Sequence, residues 1–158
     1  RHVLECAFPR RGPGAPGVGR GSCWMVEMDH LLGVMGYAAT VVASDNTAVT
    51  VGSGSLPIFA TPSMAALIEQ AAVGALQPFL PLGSTTVGMG LNLKHIAASP
   101  IGHNVQAEAV VVSVEGRRLE FKVTVYDERE KIGEGTHERF VIDAERFMGK
   151  LMLKNGKT

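Results

Sequence analysis

Hydrophobic and polar residues alternate most cleanly in the second half of the chain. Leu119, Phe121, Val123 and Val125 interleave with Glu120, Lys122 and Thr124, the pattern of an antiparallel strand with one buried face. Val105, Ala107, Ala109 and Val111 share one face of a strand over 104–114. Two more strands are predicted over 85–95 and 132–142, with turns at Glu115-Gly116 and Asp127–Lys131. Ahead of them the pattern changes. Residues 62–77 (PSMAALIEQAAVGALQ) are apolar nearly all round, which predicts a helix wrapped by other structure. Thr61 is placed to cap that helix and Pro62 to open it, while Pro78 stops it. Short β-rich runs over 37–43 and 48–51 flank the turn Ser44-Asp45-Asn46, and a Gly/Ser stretch, Gly52–Ser55, follows. The expectation is an α+β domain: one buried helix, a four-strand antiparallel meander after it, and one or two strands before it.

Residues 1–27 do not share this order. Rich in Gly, Pro and Arg over 1–24, they read as a flexible tail or upstream sequence, leaving 28–158 as the domain. A length of 158 residues fits one domain. Fifteen Lys and Arg balance fifteen Asp and Glu, so no net charge draws the chain to nucleic acid or to an anionic membrane. Cys6 and Cys23 both lie in the tail and offer neither a disulfide framework nor metal-ligand spacing. A reducing, cytoplasmic setting is expected. The apolar run 31–43 is too short to span a bilayer. Read as a signal-peptide core, it would put the cleavage inside a strand-like alternation that continues through 47–51.

Between Asp45 and Lys94 the only charged residue is Glu69, inside the predicted helix. Ala65, Ala72 and Leu76 share its face, so packing should strip its water and raise its carboxyl pKa unless it is paired. Such a carboxylate is a candidate base or nucleophile; the plainer reading is a helix-surface Glu in a polar-poor stretch. His30, His95, His103 and His137 are the domain's histidines, each readable as structural or exposed. Gly88 and Gly90 interrupt a strand, as glycine does at a bulge or where a ligand comes close. GxSxG, a Gly-rich phosphate loop and CxxC are all missing.

Three motifs in combination carry a resemblance: F-A-T-P over 59–62 followed by Glu69, T-V-G over 86–88 followed by H-I-A-A-S-P over 95–100, and G-T-H-E-R-F over 135–140. Over roughly 31–150 the chain resembles the fluoroacetyl-CoA-specific thioesterase-like family of hotdog proteins. The resemblance implies a long helix wrapped by an antiparallel sheet, a homodimer (or a tetramer) with sites at the subunit interface, and hydrolysis of an acyl-CoA thioester. Carried over by position, it implies Thr61, Glu69 and His95 as catalytic residues. Gly88 would bring a backbone donor to the thioester carbonyl, with Met89 and Phe59 beside the substrate. No cofactor or metal is expected, coenzyme A being part of the substrate. The chain departs from the family upstream of Phe59, where Gly52-Ser53-Gly54-Ser55 replaces phenylalanines. A small or medium acyl group other than fluoroacetyl is therefore expected. A non-catalytic acyl-CoA-binding module is the alternative, and a hydratase would want an Asp/His dyad that the chain lacks. Thr61 and Glu69 are roughly 12 Å apart along a helix, so either one of them positions substrate or water, or a partner subunit completes the site.

Overall fold

The computed structural model describes residues 28–156; the tail expected over 1–27 lies outside them. Among the described residues five strands and three α-helices follow one another: β1 (Met35–Val41), α1 (Ala48–Val51), α2 (Thr61–Leu76), β2 (Ser84–His95), β3 (Asn104–Glu115), β4 (Arg118–Asp127), β5 (Lys131–Asp143) and α3 (Ala144–Leu153). The strands make one antiparallel sheet in the order β1-β3-β4-β5-β2. The sheet curls around α2, the hotdog arrangement expected.

The apolar side of α2, from Met64 through Leu67, Ile68, Ala71, Ala72 and Ala75 to Leu76, is buried. It packs on Val105, Ala107, Ala109 and Val111 of β3 and Leu119, Phe121, Val123 and Val125 of β4, all buried as their alternation predicts. Each large side chain in this core contributes roughly 1.5–3 kcal/mol by leaving water. The helix lies very close to β1. A Cβ on Gly36 would meet the Ala71 carbonyl oxygen at 2.1 Å, so only glycine lets strand and helix touch there.

Three features differ from expectation. β2 pairs with β5 and not with β3, so only β3-β4-β5 is a meander. β2 is thereby an edge strand, with Met89 and Leu91 exposed. The run 48–51 is a helical turn and not a strand. The Thr47 and Thr50 hydroxyls both donate to the Ser44 carbonyl, Asn46 Oδ1 accepts from Ala43 N–H, and Gly52, at φ 78°, ends the turn. These local bonds outweigh the β preference of Val49 and Val51. Finally, residues after β5 form α3, capped by Asp143, whose side chain accepts from Arg146 N–H at 2.9 Å. No helix among the described residues is long and apolar enough to cross a membrane.

Candidate active site

The expected catalytic residues fall into two groups along α2. Thr61 is the first residue of the helix, and His95 the last of β2. Thr61 Oγ1 lies 2.8 Å from His95 Nδ1. The threonine is not the cap: Ala60 holds that position, and its side chain has no cap bond to make. Freed from capping, the hydroxyl stays exposed at the positive end of the helix. Burial lowers the His95 pKa below its usual value, and the Ala97 backbone, pulling upward, offsets only part of this. The ring is neutral at pH 7, and its Nε2 has no partner among the described residues. Beside the pair opens a cavity of about 230 Å³ lined by Ser53, Gly54, Ser55, Phe59, Thr61 and His95, among others. Phe59 is buried in the wall and the Gly/Ser stretch forms the rim.

Glu69 stands two turns further on. It was expected to lose its water on an apolar face; instead its side chain keeps 45% exposure and is paired. The reason is the open edge of the sheet, where β2 thins to Gly88. Glu69 Oε2 accepts from Arg139 Nη1 at 2.9 Å. A Cβ on Gly88 would meet that same oxygen at 2.5 Å, so the carboxylate lies against bare backbone. The register shifts between Gly88 and Gly90, and Met89 is left without a partner on β5. Such a bulge frees a backbone N–H from the ladder. The Met89 side chain itself points into solvent, 64% exposed.

Arg139 is the residue that sequence reasoning missed, and His137 was given no role there beyond a structural or exposed histidine. Both are buried, on the face of β5 that looks toward α2. Arg139 Nε donates to Thr86 Oγ1 at 2.8 Å and Nη2 to the Thr86 carbonyl at 3.0 Å. Nη1 reaches Glu69 and, at 3.2 Å, His137 Nε2. The signal was available as register: strand alternation puts 137 and 139 in phase with buried Val141 and opposite Phe121 and Leu119. His30 and His103 lie outside both groups. Among the described residues no group of three or more His, Cys, Asp or Glu is placed to hold a metal ion.

A single long helix clasped by a curled antiparallel sheet, with a threonine hydroxyl on an imidazole at its start and an arginine-paired carboxylate two turns on, is the arrangement of a hotdog thioesterase. Residues 42–145 match the family model described as fluoroacetyl-CoA-specific thioesterase. A fluoroacetyl-CoA thioesterase of Streptantibioticus cattleyicolor is 43% identical over 97 residues, 61% of this chain and 70% of that protein. A solved structure of the fluoroacetyl-CoA thioesterase FlK superposes with a TM-score of 0.73 at 36% identity, covering 78% of this chain and 96% of that one. A thioesterase superfamily member from Thermus thermophilus gives a TM-score of 0.74 at 25% identity, over 78% and 92%. The chain belongs to the fluoroacetyl-CoA-specific thioesterase family.

Proposed function

We propose that the protein hydrolyses the thioester of a small or medium acyl-CoA other than fluoroacetyl-CoA, working as a homodimer in the cytoplasm. The observation that carries this reading is that both halves of the site hang on β2, one of the sheet's two edge strands: Gly88 with Glu69 in its N-terminal half, His95 with Thr61 at its C-terminal end. An edge strand with exposed Met89 and Leu91 calls for a partner. A two-fold antiparallel pairing of β2 with its copy sets the two ends of the strand against each other. Thr61 and His95 of one copy then face the Glu69 end of the second, which removes the roughly 12 Å separation along one helix.

Chemistry follows from the groups present. Neutral His95 takes the Thr61 proton as the oxygen attacks the thioester carbonyl. The freed backbone N–H at the Met89 bulge, beside Gly88, holds the oxyanion, and CoA thiolate leaves with the histidine's proton. Glu69 Oε1, which accepts no hydrogen bond from the described residues, takes a proton from the water that releases the acid from Thr61 and restores the hydroxyl. A variant of FlK has been crystallised with fluoroacetate and CoA bound, and a CoA thioester is the substrate proposed here. The acyl group would enter the 230 Å³ cavity, whose Gly/Ser rim closes no aromatic ring over it. The test is kcat/KM for acetyl-, fluoroacetyl-, butyryl- and hexanoyl-CoA side by side. A preference for fluoroacetyl- over acetyl-CoA of several orders of magnitude would refute the substrate assignment, and an inert protein would refute the activity.

A further inference from the structure

His137 is buried, 2% exposed, and takes no place in the chemistry above. Its surroundings nevertheless dictate its protonation. Nδ1 lies 2.7 Å from the Gly90 carbonyl oxygen, which can only accept, so Nδ1 carries a proton. Nε2 lies 3.2 Å from Arg139 Nη1, which can only donate, so Nε2 carries a lone pair. The ring is therefore neutral, in a single tautomer. Phe121 stacks against it from β4 at 6.2 Å between ring centres.

We propose that His137 is the positioning residue of the Glu69 carboxylate, acting through Arg139: its Nε2 takes one Nη1 N–H so that the other points at Glu69 Oε2. The guanidinium has five N–H groups, and four are directed, two to Thr86, one to His137 and one to Glu69. Thr86 fixes the Nε–Nη2 edge of the plane, and His137 fixes the Nη1 end. With Oε2 occupied, Glu69 presents Oε1 to water. This role rests on the thioesterase reading and adds to it a device sensitive to acid. The ionisable groups facing His137 are Glu69 from α2 at 3.9 Å, with Arg139 and Glu138 from its own strand. β2 contributes the Gly90 carbonyl and β4 the uncharged Phe121 ring. A second proton on His137 would turn Nε2 into a donor aimed at a donor, and a cation beside a cation. Burial, the larger cause, and the Arg139 charge both resist that proton and hold the ring's pKa below the usual value, while the Gly90 bond and the charges of Glu69 and Glu138 pull the other way. When acid does force it on, Arg139 must turn away and Glu69 loses its alignment.

Two arms test this. Histidine ¹⁵N spectra of the intact protein at pH 7 should show His137 neutral and protonated on Nδ1. A slowly exchanging Arg139 side-chain signal should accompany it and vanish in His137→Leu. In turnover with an acyl-CoA that the wild type hydrolyses, His137→Leu should lower kcat on the order of 100-fold, the loss that follows from misplacing a reacting group by about 1 Å. KM should stay near the wild-type value. His137→Gln offers an amide oxygen where Nε2 accepted; it should recover most of that kcat, and the acid fall-off should move because no ring titrates there. An Nε2-protonated tautomer, a folded His137→Leu with wild-type kcat, or a folded His137→Gln no better than leucine overturns the proposal. Should the wild type hydrolyse none of the thioesters, the activity reading fails by itself, and the spectra alone decide the positioning role.

Discussion

Gly88→Ala is the sharpest test of the site's geometry. The new Cβ would lie 2.5 Å from Glu69 Oε2 and 3.2 Å from Arg139 Nη1. Ordinary contact begins near 3.4 Å, so the carboxylate oxygen must retreat by about 0.9 Å. Arg139 cannot follow, because Thr86 holds it through both Nε and Nη2. Retreating straight back from the new Cβ, the oxygen ends about 3.3 Å from Nη1, so the 2.9 Å bond is lengthened and weakened and the carboxylate is turned. Glu69 ends a flexible side chain, so the fold accommodates the clash. With the carboxylate 45% exposed, weakening the pair costs under about 1 kcal/mol of stability. Replacing glycine within a strand returns some of that through the unfolded chain, about 0.4–1 kcal/mol. Catalysis should suffer far more, since a displacement of that size in a reacting group costs on the order of 100-fold. Parallel measurement of kcat/KM and of the melting curve separates the two effects. Wild-type turnover by Gly88→Ala, or a melting temperature lowered as far as the rate, would show that the carboxylate's position against Gly88 does not matter to the chemistry.

Glu69→Gln preserves shape and should stay folded while losing most of kcat; near-normal hydrolysis by the folded variant would remove Glu69 from the mechanism. His95→Ala should lower kcat and flatten the acid limb of the rate profile, since the proposed mechanism makes the neutral ring the proton acceptor; an unaltered profile would make the histidine structural. Gly36→Ala drives a methyl group into the Ala71 carbonyl, which is backbone and cannot yield, so stability should fall by about 1–3 kcal/mol, as urea unfolding would show. Folded His95 and His137 both bind protons less readily than the ordinary histidine value of 6.5. The unfolded chain therefore takes up protons first as pH falls, and the fold should be fully stable above about pH 6.5 and weaken below it; thermal melts between pH 5 and 8 that show no such slope would contradict the burial of these rings. Light scattering should report a dimer, and a fully active monomer at assay concentration would rule out the shared site.

Much of this protein could be read from its residues alone. Period-two alternation over 105–111 and 119–125 marked β3, β4 and their buried faces, because a pleated strand with one dry side admits no other pattern. The apolar run 62–77 marked the central helix, although it is not dry all round: one side packs on the sheet, while Ala66, Gln70 and Gly74 stay exposed. Its lone carboxylate, Glu69, stood out against that background, and the motifs around Thr61, Gly88 and His95 identified the family. What remained hidden depends on partners distant in the chain. Arg139 looks solvent-exposed in the run T-H-E-R; alternation puts it on the face of Val141, but the partners it meets there, Thr86 and Glu69, come from β2 and α2, distant in the chain. The strand order makes β2 an edge and leaves Glu69 half in water, where packing on an apolar face had predicted it dry. Sequence patterns report which side of an element is buried, since that is set residue by residue. Which element lies on that side, and so which charge meets which, is a long-range contact that local pattern does not encode.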